Sequence, residues 1–423
     1  MSSPSQRIQS LSAQLSGGAD QASRAKASLL AKNPSDVVIT LAIRTPLTKA
    51  KKGLLKDTKL EGLLVPLLQE TVKKSGIEPQ LVEEIVLGNV LHKDAPYVLR
   101  ASGLAAGFPA TTAVSHVSRW CSSGLLAVEA VAQKVALGSI DIGIALGAES
   151  MSNNPDNGAP ELPADFLAQP VINDLTQLMG WTSENVASDF SISRERQDEY
   201  AAASFQKAEA AQKAGYTADE IVPIATTWKD PKTGETRKVV AKMDDGVRPG
   251  TTKEGLAKIR SAFPQWPPST TTGGNASQLT DGAAAVLIMR RDVAERLRQP
   301  IIGKFVLSTI SGLEPRIMGI GPTLAIPKLL GKVGISKDDV DVFEINEAFA
   351  SMLVYCTEKL CIDPARLNPR GGAIAFGHPL GCTGARQVVT ALSELKRTGG
   401  KIAVTSMCVG TGMGMASLLV SEQ

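Results

Sequence analysis

Three segments of this sequence carry residues whose types and settings suit covalent catalysis. The first is Trp120-Cys121-Ser122-Ser123-Gly124, followed by Leu125, Leu126, Val128, Val131 and Val135. That spacing predicts an apolar helix whose first turn holds Ser122, Ser123 and Gly124, with Cys121 at the turn from loop to helix. Free N–H groups and the positive end of the helix dipole would favour a thiolate there. The second is Gly377-His378-Pro379-Leu380-Gly381, where glycines let a backbone approach a ligand closely. The third is Met407-Cys408-Val409-Gly410-Thr411-Gly412, at a strand end. A nucleophilic thiol, a histidine base and a second thiol suit acyl transfer from a thioester. Taken singly, each has a plainer reading: a buried structural cysteine, a solvated turn histidine, a buried strand-end cysteine. A fourth segment, Asn346-Glu347-Ala348-Phe349, would present an amide and a carboxylate at the carboxyl edge of a sheet, where α/β folds place ligands.

These groups need a scaffold, and composition bounds it. With 423 residues and 43% apolar side chains, the chain can bury a large core and has the length of two or three domains. Its 45 basic and 42 acidic residues leave a net charge of only +3, with no concentrated basic patch of the kind a nucleic-acid partner requires. No apolar run has the length of a membrane span, so membrane insertion is not expected. The five cysteines (Cys121, Cys356, Cys361, Cys382, Cys408) are odd in number and form no CxxC pair. With three histidines in all, neither a disulfide framework nor a metal site is expected.

The chain repeats itself at an offset of roughly 260 residues. Pro66-Leu67-Leu68, Gly76-Ile77 and the strand through Ile85 to Leu87 find counterparts in Pro327 to Leu330, Gly334-Ile335 and Val342 to Ile345. Ser123-Gly124 with its apolar helix matches Thr383-Gly384 and the helix through Val388, Val389 and Leu392. Each such helix leads through a Gly turn into a buried strand. The expected organisation is an N-terminal half (36–150 plus 275–300), an inserted loop domain (151–274) and a C-terminal half (301–423). The insertion should carry a helix from about Arg194 to Ala214 with Ser193 as N-cap, and should supply substrate contacts. Residues 1–35, rich in Ser, Ala and Gln, read as a flexible arm outside the fold.

The motifs in order resemble the thiolase family, in its 3-ketoacyl-CoA thiolase branch. The resemblance rests on Cys121-Ser122-Ser123-Gly124, Gly147 to Ser152, Met179 to Ala187, Gly274-Asn275-Ala276-Ser277, Asn346-Glu347-Ala348-Phe349, the His378 turn and Cys408-Val409-Gly410, which span nearly the whole chain from about residue 36. It implies an α/β fold of duplicated βαβαβαββ halves in five layers, α-β-α-β-α. It implies that Cys121 is the nucleophile, His378 its activating base and Cys408 the general acid/base. Asn346 would hold a water that forms one oxyanion hole with His378; the N–H groups of Cys121 and Gly410 would form the other. Met179, Ser277, Ala348 and Phe349 would line the pantetheine and acyl tunnel. The implied reaction is thiolytic cleavage of 3-ketoacyl-CoA, with CoA as co-substrate and no permanently bound cofactor. The rival is condensation of two acetyl-CoA; Leu178 stands where biosynthetic relatives commonly have His, and favours longer acyl chains. A homodimer is implied. Ser118 and Trp120 depart from the Asn and Gln of many relatives, and Leu91 to Tyr97 replaces a Gly-rich loop.

The arm resembles an N-terminal peroxisomal signal: Arg7-Ile8, five residues, then Gln14-Leu15. Ile8, Leu11 and Leu15 would offer one apolar helical face to an import receptor. The alternative, a mitochondrial presequence, is usually richer in Arg.

Overall fold

The computed structural model describes residues 23–423. The first half of the chain forms β1 (Val37–Arg44), α1 (Leu60–Ser75), β2 (Glu84–Gly88), α2 (Ala95–Ala105), β3 (Ala113–Val117), α3 (Ser123–Ala136) and β4 (Ile142–Ser150). An excursion follows, with α4 (Met179–Asp189), α5 (Arg194–Lys213) and a hairpin of strands Ile224–Lys229 and Thr236–Ala241. The chain then returns as β5 (Thr280–Arg290). The second half comprises β6 (Gly303–Gly312), α6 (Pro322–Val333), β7 (Val342–Ile345), α7 (Ala350–Leu360), α8 (Leu380–Thr398), β8 (Ile402–Val409) and β9 (Met413–Ser421).

Both halves order their strands alike. The first reads β3-β2-β4-β5-β1, with β2 parallel to β3 and β4, and β5 antiparallel to β4 and β1. The second reads β7-β8-β9-β6, with β7 parallel to β8, and β9 antiparallel to β8 and β6. A parallel bridge from Phe343 to Leu367 stands where β3 stands in the first half. The sheets join where Val38 and Ile39 pair with Lys304 and Gly303.

Periodicity decides which face each helix buries. Leu60, Leu63, Leu64, Leu67 and Leu68 lay one stripe of α1 on the first sheet, against Ile85, Leu87 and Leu146. On the opposite face, Leu125, Val128, Val131 and Val135 of α3 share a core with Val388, Leu392 and Leu395 of α8. Beyond the second sheet, Leu329 of α6 and Met352 and Leu353 of α7 pack on Val404 and Leu418. The layers run helix, sheet, helix, sheet, helix. Sheets covered on both faces need continuous apolar runs, and every residue of β2, β4 and β8 is buried.

The central helices cross closely because two glycines face each other's backbone. A Cβ on Gly384 would lie 2.7 Å from Leu125 Cβ and 2.9 Å from Leu125 Cα; one on Gly124 would lie 2.5 Å from the Gly381 oxygen. This crossing is near the N-terminal ends of both helices, so the loops that carry Cys121 and His378 arrive side by side.

The arm needs a correction. Its targeting motif, Arg7 to Leu15, lies outside the described residues. Residues 23–30, however, form a helix, and they do not hang free of the fold. Ala25 and Leu29, one turn apart, pack on the second-half core. Lys26 pairs with Asp339 at 3.2 Å, and Lys304 Nζ donates to the Ala31 carbonyl at 2.8 Å. The part of the arm nearest the fold is docked by the same one-face apolar spacing that was read only in its first fifteen residues.

Candidate active site

Cys121 lies just ahead of α3, whose N-cap is Ser122. The turn before it is closed by Ser123, whose hydroxyl accepts from Arg119 N–H at 2.9 Å and donates to the Trp120 carbonyl at 2.6 Å. Trp120 takes the left-handed region, φ 41°. Its indole lies against Gly410, Cδ1 3.2 Å from where a Cβ would stand, so the unusual tryptophan covers that residue. Cys121 is buried, and the N–H groups of Gly410 and of Cys121 itself are directed at its sulfur. Burial nonetheless outweighs them and pushes the thiol up to about 11. The expected resting thiolate is therefore replaced by a neutral thiol: a few N–H dipoles do not offset removal of the sulfur from water. Such a thiol needs a base at the moment of attack.

The expected base is His378. It precedes α8, and its buried ring stays neutral because burial, with the Arg386 charge adding to it, lowers its pKa to about 3. The backbone is fixed: His378 N–H is shared between the Gln278 carbonyl at 3.0 Å and Thr280 Oγ1 at 3.1 Å. Gly377 is at φ 107°, and a side chain there would run into the Thr280 hydroxyl. Asn346 Nδ2 donates to His378 Nε2 at 3.3 Å. Asn346 Oδ1 is buried with no partner among the described residues, the condition of an acceptor awaiting water or substrate. Cys408, at the end of β8, is fully buried with its sulfur 4.0 Å from Met352 Sδ. Burial, then the nearby Cys121 and Cys356 thiols, hold its pKa well above the usual thiol range.

Two buried carboxylates tie the loops together, a role the sequence does not display. Glu347 accepts from Tyr200 Oη at 3.0 Å, Ser204 Oγ at 2.7 Å, Asn368 Nδ2 at 2.9 Å and Ile374 N–H at 3.1 Å. It thus turns inward and fixes the segment holding Asn346, rather than facing a ligand. Glu149 accepts from Val90 N–H at 3.0 Å, Leu91 N–H at 3.1 Å, Asn89 Nδ2 at 3.0 Å and Gly381 N–H at 3.0 Å. That clamps the start of α8 to the loop that departs from the Gly-rich pattern. Their place in the repeat offered the one available signal, since each follows or ends a buried strand.

The residues expected to line a tunnel also converge. Ser277 N–H donates to the Ala348 carbonyl at 3.0 Å, and Ala276 and Phe349 form an antiparallel bridge. Met179 opens α4 and packs in the same apolar cluster as Ala348, Phe349, Met352 and Cys408. The inserted segment is anchored as read: the Ser193 hydroxyl caps α5 by accepting from Arg196 N–H. Among the described residues no group of three or more His, Cys, Asp or Glu side chains is placed to hold a metal. No helix among them is long and apolar enough to cross a membrane.

A neutral thiol, a neutral imidazole bonded to an amide and a second buried thiol, set where the central helices of two equivalent halves meet, define the class: a thiol-dependent acyltransferase on a duplicated α/β fold. The chain belongs to the thiolase family. Residues 37–292 match the model of the thiolase N-terminal domain, and residues 299–421 that of the thiolase C-terminal domain. The chain is 52% identical to the peroxisomal 3-ketoacyl-CoA thiolase of Yarrowia lipolytica, over 93% of this chain and 95% of that one. The dimeric peroxisomal thiolase of Saccharomyces cerevisiae superposes with a TM-score of 0.86 at 46% identity, covering 93% of this chain and all (100%) of that one. Human mitochondrial 3-ketoacyl-CoA thiolase in complex with CoA superposes with a TM-score of 0.81 at 35% identity, covering 91% and 98%.

Proposed function

We propose that this protein is a peroxisomal 3-ketoacyl-CoA thiolase that cleaves 3-ketoacyl-CoA with CoA, giving acetyl-CoA and an acyl-CoA shortened by two carbons. What supports the reading is that Asn346 is hydrogen-bonded to His378, that Cys121 lies near Cys408, and that the backbones behind Cys121 and His378 touch at Gly124 and Gly381. His378 Nε2 takes the Cys121 proton as the sulfur attacks the 3-keto carbon. The developing oxyanion is met by hydrogen-bond donors already in place, the largest recurrent source of rate enhancement in acyl transfer. The N–H groups of Cys121 and Gly410 form one such pair. Nε2–H, a donor only once it has taken the Cys121 proton, forms a second site with a water held by Asn346.

The bond between C2 and C3 then breaks, its electrons pass to C2 as an acetyl-CoA enolate, and Cys408 protonates C2. Acetyl-CoA leaves. The Cys408 thiolate takes the proton of incoming CoA, whose sulfur attacks the acyl carbonyl. Cys121 departs and recovers its proton from His378. The acyl chain and pantetheine lie along Met179, Ser277, Ala348 and Phe349. Burial of both thiols keeps out the bulk water that would otherwise hydrolyse the acyl-enzyme.

CoA is a co-substrate, and the protein works as a homodimer, in keeping with the dimeric yeast relative. The peroxisomal relatives support that compartment over the mitochondrion, and the address we assign is Arg7-Ile8 with Gln14-Leu15, read by an import receptor. We divide the chain into an N-terminal half (36–150 with 275–300), a loop domain (151–274) and a C-terminal half (301–423). The reading is tested with purified protein and 3-ketoacyl-CoA of several chain lengths. CoA-dependent loss of the 3-ketoacyl absorbance, faster than condensation of acetyl-CoA, is expected. Condensation without thiolysis of chains longer than four carbons would replace the degradative reading with the biosynthetic one.

A further inference from the structure

His378 must act twice through the same nitrogen in the reaction proposed above. Nε2 receives the Cys121 proton, and the resulting Nε2–H then faces the oxyanion. Both acts require the resting neutral ring to carry its single proton on Nδ1. A neutral imidazole chooses its tautomer by the hydrogen bond its other nitrogen makes. Nothing in the motif around Cys121, Asn346 or Cys408 bears on Nδ1.

Thr383 does. Its hydroxyl lies 2.6 Å from His378 Nδ1, with both side chains buried. The same hydroxyl donates to the Pro379 carbonyl at 3.1 Å. This is the back-bond to the carbonyl four residues earlier that threonine commonly makes in a helix. With its one proton on that carbonyl, the oxygen is left to accept from Nδ1–H. At the other end of the ring, Asn346 Nδ2 donates to Nε2, which marks Nε2 as the lone-pair nitrogen. One tautomer, with the proton on Nδ1, satisfies both contacts at once.

We propose that Thr383 is a positioning residue that locks His378 in the Nδ1–H tautomer, leaving Nε2 free to serve Cys121. It touches neither substrate nor the reacting atoms; it acts through the imidazole. The inference rests on the thiolase reading for its catalytic consequence but not for its primary test, which reads the ring itself.

Removing the hydroxyl while keeping the shape, Thr383→Val, leaves a buried Nδ1–H without an acceptor. The other tautomer, whose Nδ1 is an unprotonated acceptor, then gains by about 5- to 150-fold, the factor equivalent to an unsatisfied buried donor. Thr383→Ser retains the hydroxyl.

The experiment is imidazole ¹⁵N NMR on the full-length protein labelled at histidine. There are only three histidines, and the His378→Asn variant identifies the signal by its loss. The wild type is expected to show Nδ1 protonated and Nε2 unprotonated, and Thr383→Ser the same. Thr383→Val is expected to shift toward Nε2–H and to lose about 10-fold or more in kcat, with KM for CoA unchanged. An Nε2–H tautomer in the wild type would overturn the proposal even if the valine variant failed to fold. An Nδ1–H tautomer preserved in Thr383→Val would overturn it as well. An Nδ1–H wild type with no thiolytic activity would instead retire the thiolase reading and leave the lock standing.

Discussion

Replacing Gly384 by alanine tests whether the crossing of α3 and α8 sets the catalytic geometry. The added methyl would sit 2.7 Å from Leu125 Cβ and 2.9 Å from Leu125 Cα, and closer still to the Leu125 nitrogen. Ordinary contact needs about 3.5–4.0 Å, so the helices must separate by about 1 Å. The obstacle is largely backbone, which cannot rotate away, and both helices are buried along this seam. Overpacking of this kind costs roughly 1–3 kcal/mol. The functional cost should be larger in proportion, because Cys121 leads directly into α3 and His378 into α8, on the two sides of the widened gap. A displacement of about 1 Å between reacting groups is worth about 10²-fold in rate. The assay is kcat for thiolysis, with urea denaturation of the same preparation. A Gly384→Ala protein that stays folded with kcat reduced about 100-fold is expected. Wild-type kcat would refute the reasoning that these glycines set the thiol–imidazole distance.

Two further perturbations address the proton inventory. The His378 ring has a pKa of about 3 in the folded protein against 6.5 for the free side chain, so the unfolded chain binds more protons between those values. The stability this contributes is whole above pH 6.5 and is lost as pH falls toward 3, about 2 kcal/mol of it by pH 5. Urea titrations at both pH values should show this acid sensitivity in the wild type and not in His378→Asn; equal slopes in the two proteins would contradict it. Cys408→Ser should still acylate at Cys121 but turn over roughly 10²–10⁴-fold more slowly, the range for lost acid–base help. Near-normal steady-state turnover would remove Cys408 from the proton path.

Much of this architecture was legible because the gene-length repeat is written in helical and strand periods. The stripe of leucines in α1, the glycine turns and the all-buried strands each follow from local spacing, and their recurrence implies two equivalent halves. Cys121, His378 and Cys408 stand out in the sequence as candidate reactive groups beside glycines and a helix start, and Asn346 as an amide at a strand end. Their energetics do not. A helix start argued for a thiolate at Cys121, whereas its near-complete burial, a property of the assembled layers, raises the pKa instead. The inward turn of Glu347, the Glu149 clamp on Gly381 and the Thr383 contact to His378 depend on tertiary placement. Each pairs groups from different elements or by rotamer, which sequence spacing does not encode. The docking of residues 23–30 was missed for a related reason: two apolar positions, Ala25 and Leu29, are too faint a stripe to separate a docked helix from a solvated arm.

The most direct test of the central claim is intact-mass and peptide-level mass spectrometry of the protein mixed with 3-ketoacyl-CoA in the absence of free CoA. The account predicts one acyl group per chain, shorter by two carbons than the substrate, on Cys121, absent from Cys121→Ala and discharged by added CoA. An acyl group carried by Cys408 or Cys382, or one that persists in Cys121→Ala, would contradict it.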